Sequence, residues 1–85
     1  MAFVWGDGNI TITVKIRDHR PAHVHVRSTK YEVKIDISSG DFKVLPASKK
    51  SRVKTTPGFT RMALALVAEH LELCREVWRE KHGTL

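Results

Sequence analysis

The chain has one cysteine, Cys74, among 85 residues, so no disulfide can close within it. That excludes the disulfide-stapled scaffold which small secreted domains use in place of a large core. No stretch approaches the ~18 consecutive apolar residues of a membrane span. Met1–Asp7 carry no basic region ahead of a long apolar run, so no signal peptide is expected. These absences predict a cytoplasmic protein with no membrane role. Internal repeats and low-complexity segments are also lacking, so a repeat architecture is not expected.

Acidic residues are outnumbered. Nine Asp and Glu stand against fifteen Lys and Arg, a net charge of +6 with neutral His. The five His add positive charge in mild acid, because imidazole titrates near pH ~6.5. This balance favours anionic partners: nucleic acid, phosphorylated ligands or an acidic protein.

The length sets the architecture. Residues 1–85 make a single domain, and a chain this short buries only about 60–65% of its unfolded surface. Its core is therefore thin. The expectation is an α+β fold: a small antiparallel sheet of three to four strands over about residues 10–45, a basic loop over 47–56, and one C-terminal amphipathic helix over about 57–82, packed on one face of the sheet. The other face is left for water or a partner, and function is sought there.

Ile10–Arg17 alternates strictly. Ile10, Ile12, Val14 and Ile16 point one way; Thr11, Thr13, Lys15 and Arg17 point the other, as in a half-buried strand. Gly6–Asn9 before it is turn chemistry, with Phe3 and Trp5 in a short strand or flap leading in. Asp18–Pro21 interrupts the pattern, since proline cannot donate to a ladder. His23–Arg27 resumes it, with Val24 and Val26 on the core side and His23, His25 and Arg27 on the open side. Tyr31–Ile37 is a third strand, with Tyr31, Val33, Ile35 and Ile37 inward and Glu32, Lys34 and Asp36 outward. Phe42–Leu45 is a fourth, stopped by Pro46.

The helix is read as starting at Thr56–Pro57 or Thr60 and ending near His82, with Gly83 as its C-cap. Arg79, Lys81 and His82 complement the negative end of its dipole. Ala63, Leu66, Val67, His70, Leu71, Leu73, Cys74, Val77 and Trp78 share one broad arc. Within it, His70 is expected to be buried or half-buried against a backbone group, and Cys74 to be plain core.

The histidines admit several readings, which the residues leave open. Period-two spacing puts His23 and His25 on one face, about 6.5–7 Å apart at Cα, with His19 across the turn as a third candidate. Three imidazoles suit a transition metal; beyond a divalent metal of that kind, no cofactor is expected. Alternatively, His19, His23 and His25 are candidate acid–base groups for phosphodiester cleavage, with cations holding the phosphate. A third reading is binding without chemistry, through Lys15, Arg17, Arg20, Arg27 and Lys34 on the sheet and Lys49, Lys50, Arg52 and Lys54 in the loop. The plain reading beside all three is that His23 and His25 are polar residues on an open face.

The segment Asp18-His19-Arg20-Pro21-Ala22-His23-Val24-His25-Val26, followed by Tyr31–Ile37 and a turn with Gly40, resembles the small bacterial family known as domain of unknown function 4160. That family carries Asp-His-x-Pro-Pro-His-Phe-His-Val at this place, followed by a helix rich in Leu and Glu. Asp18, His19, Pro21, His23, His25 and Val26 match in register over about residues 10–45, and residues 62–80 match more loosely. Ala22 replaces a proline and Val24 a phenylalanine, while His70 and Cys74 stand where Trp and His are usual. The resemblance implies a gene setting like that of toxin–antitoxin pairs, hence a small protein partner and an RNA or DNA target. It carries over no catalytic residue and no oligomeric state.

Overall fold

In a computed structural model, the protein is described over residues 2–15, 21–38, 43–45 and 55–83. Five strands form one antiparallel meander in sequence order: β1 (Ala2–Asp7), β2 (Ile10–Val14), β3 (His23–Arg27), β4 (Glu32–Asp36) and β5 (Val44–Leu45). Two helices follow, α1 (Pro57–Glu69) and α2 (Leu71–His82). The α+β class and the antiparallel sheet are as the sequence predicts. Two corrections apply: the sheet has five strands rather than three or four, and the single expected helix is two.

The extra strand is β1. Its ladder with β2 shifts register between Phe3 and Trp5, so Val4 is an extra residue, and both Val4 and Trp5 pack with the core. Such a bulge breaks period-two alternation and hides the strand from a periodicity reading. Gly8–Asn9 close the hairpin between Asp7 and Ile10. Gly8 has φ +60°, a left-handed conformation suited to a two-residue turn. Between β3 and β4, the Ser28 hydroxyl accepts the Tyr31 amide at 3.1 Å and the Ser28 amide donates to the Tyr31 carbonyl at 2.8 Å. That side-chain turn fixes Arg27 opposite Glu32.

Register places Ile12 beside Val26, Val26 beside Val33, and Val24 beside Ile35. Paired residues share a face, so these side chains form one apolar layer. Val14, Val24, Val26, Val33 and Ile35 are all buried in a core with Phe59, Ala63, Val67, Cys74 and Trp78, as period-two strands meeting a period-3.6 stripe require. Tyr31 is half-buried and packs its ring against Phe59 at 5.5 Å.

The Thr56 hydroxyl caps α1 by accepting the Phe59 amide at 3.1 Å, with Pro57 in the first turn. Gly83, at φ +86°, ends α2 and donates its amide to the Arg79 carbonyl at 2.7 Å. The break falls at His70, whose φ of −109° and ψ of 24° leave the helical region. It lets α1 lie against β4 while α2 lies against β1 and β2. Leu73, expected inward, is exposed. It sits about 200° around the helix from half-buried Leu71. No helix among the described residues is long and apolar enough to cross a membrane.

Candidate functional site

Residues on β3 opposite to Val24 and Val26 form the face expected to be open. The structure covers it around the histidines: His23 is 6% exposed and His25 is 4%. Their ladder neighbours on the same face, Thr13 and Asp36, are also buried. The expectation of His23 and His25 as free surface groups is corrected, and so is the outward exposure assigned to Thr13 and Asp36. Alternation identifies which face a side chain takes; it does not say whether that face is covered.

The two imidazoles belong to a chain of rings. Centroids of His23 and His25 lie 5.1 Å apart, edge to face. His23 in turn lies 5.6 Å from the indole of Trp78 on α2. Trp78 stacks on His82, four residues on, at 3.9 Å with 15° between planes. The His82 Nε2 lies 3.0 Å from the Lys15 carbonyl at the end of β2. His23 begins β3, so α2 can meet its ring at that end of the sheet. Two of these links, His23 to Trp78 and His82 to Lys15, cross between elements and tie α2 to β3 and to the end of β2.

Hydrogen bonding fixes the proton positions. A carbonyl oxygen can only accept. The His23 Nδ1, 2.8 Å from the Pro21 carbonyl, therefore carries a proton, and so does the His82 Nε2. The His25 Nδ1 lies 3.7 Å from the Glu32 carboxylate, beyond hydrogen-bond reach but close enough for attraction if the ring is charged. The Asp36 carboxylate accepts from the Ser38 amide at 2.7 Å and the Ser38 hydroxyl at 2.6 Å. Just above, the Ile37 amide donates to the Ala22 carbonyl at 2.9 Å, and the Arg75 Nε donates to the Ile37 carbonyl at 3.2 Å.

One buried polar atom stands out. The Thr13 hydroxyl, beside His25 across the ladder, has no hydrogen-bond partner among the described residues. No group of three or more His, Cys, Asp or Glu placed to hold a metal occurs among them either. His19, the third candidate ligand and third candidate acid–base group, lies outside the described residues, as do Arg17, Arg20, Lys49, Lys50, Arg52 and Lys54. Of the other expected binding cations, Lys15 and Arg27 are exposed at the ends of β2 and β3, and Lys34 is half-buried on β4.

Away from this cluster, His70 is half-buried, as expected, but its ring stacks on Trp5 of β1 at 4.6 Å. Cys74 is fully buried core. Burial pushes its thiol up to about 11, with a backbone hydrogen bond pulling the other way. A neutral, enclosed thiol is a poor nucleophile. The residues that the motif did not reveal are Trp78 and His82. Their signal in the sequence is the four-residue spacing, which stacks two rings on one helix face.

Charge is segregated along the chain. Residues 1–14 carry one charge, that of Asp7. Residues 55–85 carry four Lys and Arg against four Asp and Glu. The segment 15–54 holds eleven Lys and Arg against four Asp and Glu, and so accounts for the whole positive excess. This segment begins just after β2 and contains all of β3, β4 and β5. The helices and the first hairpin contribute no net cation.

No curated protein and no solved structure matches the chain. Residues 9–79, from the turn before β2 almost to the end of α2, match the profile of a known family, and the chain belongs to it: Domain of unknown function (DUF4160).

Proposed function

We propose that the protein is a nucleic-acid-binding module, one component of a toxin–antitoxin-like pair, and that it holds its target by the cations of residues 15–54. The observation that carries this reading is the charge segregation. A +6 chain whose helices are neutral carries its excess on one stretch of sequence, residues 15–54. A polyanion is the partner that such a stretch attracts over distance and holds by counterion release. Exposed Arg27, Lys30 and Lys43 lie on or beside β3, β4 and β5. They can be engaged with no rearrangement of the core.

His-dependent phosphodiester cleavage is the weaker reading. An acid–base group must reach the proton it moves, and His23 and His25 are both buried, with the ring of His23 against Trp78. Metal-assisted chemistry is weaker for the same reason and for want of a ligand set among the described residues. A purely protein-binding role would rest on surface complementarity and would show little dependence on salt.

The test is a titration of labelled single-stranded and duplex oligonucleotides by fluorescence anisotropy across a salt series. Binding should weaken steeply with salt. Replacing Lys49, Lys50, Arg52 and Lys54 by Ala should lower the slope of log K against log salt by about 0.7–0.9 for each phosphate that is no longer neutralised. Replacing Arg61, Arg79 and Lys81 on the helices should leave the slope in place. Absence of binding to either form at low salt would overturn the nucleic-acid reading in favour of the protein-partner one.

A further inference from the structure

The first strand has an outer edge with no partner among the described residues: β1 pairs with β2 and with no other strand. It is six residues long, whereas the opposite edge strand, β5, has two. An edge of that length offers a row of main-chain donors and acceptors to another strand. Proteins that stay monomeric usually blunt such edges with Lys or Pro. Ala2–Asp7 contains neither, and its one charge, on Asp7, sits at its end. Phe3, on the same strand, is 65% exposed, the highest value of the exposed large hydrophobic residues.

We propose that this edge pairs with the β1 of a second copy, antiparallel and about a two-fold axis between Val4 and Trp5. Three features of the strand favour itself as the occupant. First, charge: the molecule is basic overall, while β1 carries no Lys or Arg, so two copies can meet along this edge without setting like cations against each other. At a strand spacing of ~4.8 Å, β3 lies roughly 10 Å from β1 and β5 roughly 19 Å, beyond the ~8 Å Debye length at physiological salt; of the described cations on the sheet, Lys15, next to β2, stands nearer.

Second, facing. Phe3 pairs with Thr13 and Gly6 with Thr11, on the face away from the helices, while Ala2, Trp5 and Asp7 pair with Val14, Ile12 and Ile10 on the helix side. Val4, the extra residue of the bulge, is buried in the core on that side too. The pattern therefore reads the same from either end of the strand. A two-fold axis between Val4 and Trp5 sets Phe3 against the partner's Gly6 and Val4 against the partner's Trp5, each pair on a common face. An unbulged six-residue strand would not match itself about that axis. An isologous contact requires this self-complementarity.

Third, fit. A Cβ on Gly6 would lie 3.0 Å from the ring of Phe3 in the same chain, so the phenyl group already rests over the Gly6 backbone. That ring fills the space a side chain at Gly6 would take, and in the paired strands it lies beside the partner's phenyl group on the outer face. Asp7 of one copy meets Ala2 of the other, and the two carboxylates stay at opposite ends of the seam. Pairing joins two five-stranded sheets into one of ten strands, with the two copies of β1 at its centre and β3, β4 and β5 of each copy outside the four central strands. That arrangement goes beyond nucleic-acid binding and does not depend on it.

Sedimentation equilibrium on the purified full chain at submillimolar concentration tests the proposal. The wild type should have a mass near twice 9.7 kDa. The F3K variant, altered at an exposed position and shown to be folded by circular dichroism, should run as a monomer. V44K, which places the same charge on the opposite edge strand, should remain a dimer. Amide exchange across Phe3–Gly6 should slow as concentration rises in the wild type and not in F3K. A monomeric wild type, a dimer that survives F3K unchanged, or a dimer lost in V44K would each overturn the assignment.

Discussion

Trp78 stacks on His82 at 3.9 Å between ring centroids, and the far side of this pair is tied to the sheet in two ways: the indole meets the ring of His23, and the His82 Nε2 donates to the Lys15 carbonyl. The sequence motif and the C-terminal helix are thus parts of one packed unit. This relationship decides how the His-x-His segment is understood, because a ring held between strands and an indole is a packing element first.

Removal of Trp78 should therefore be among the costliest single changes in the chain. Its side chain is fully buried, and truncating a buried Trp to Ala costs about 3–5 kcal/mol. His82→Phe keeps a ring on the indole and loses the hydrogen bond to Lys15, so it should cost about 1 kcal/mol. Urea unfolding of the two variants would check the order. Equal losses would mean that the stack, as described, does not carry the difference.

Thr13→Val should raise stability. The swap keeps the shape and removes a buried hydroxyl that has no partner among the described residues, and a buried unsatisfied polar group costs about 1–3 kcal/mol. A gain of about 1 kcal/mol in urea midpoint analysis is expected, helped by the strand preference of valine. A loss of stability would show that the hydroxyl is bonded.

The fold was legible where alternation was clean. Ile12, Val14, Val24, Val26, Val33 and Ile35 all take the core side that period-two reading assigns them. It failed at three places for separate physical reasons. The bulge at Val4 erased alternation in β1, so a full strand looked like a flap. The break at His70 carries neither Gly nor Pro, and nothing local marks it. His23 meets Trp78, distant in sequence, and a strand pattern cannot contain a contact of that kind or the burial it brings. Charge totals are plain in the composition, and the confinement of the excess to residues 15–54 gains meaning from the strand order, which puts that segment on β3, β4 and β5 on the far side of β2 from β1.

Cys74 gives a pH-dependent check on the core. Burial raises its thiol from an ordinary value of 9.0 to about 11. Between these values the unfolded chain loses this proton and the folded chain keeps it. The contribution to stability is therefore complete below pH 9 and is lost as pH rises toward 11, by about 2–3 kcal/mol for a shift of this size. Cys74→Ala should flatten that part of the pH–stability curve. In the wild type at neutral pH, a thiol-specific disulfide reagent should react only on unfolding; immediate reaction would place the sulfur at the surface.

His23 and His25, both buried, hold the fold together and do not form an exposed reactive pair. Equilibrium urea unfolding of the His23→Ala/His25→Ala double variant tests it most directly. Two buried rings and the bond from the His23 Nδ1 to the Pro21 carbonyl are lost, so a destabilisation of about 3–5 kcal/mol is predicted, or outright failure to fold. A double variant as stable as the wild type, with the same midpoint and slope, would contradict the account and return both imidazoles to the surface.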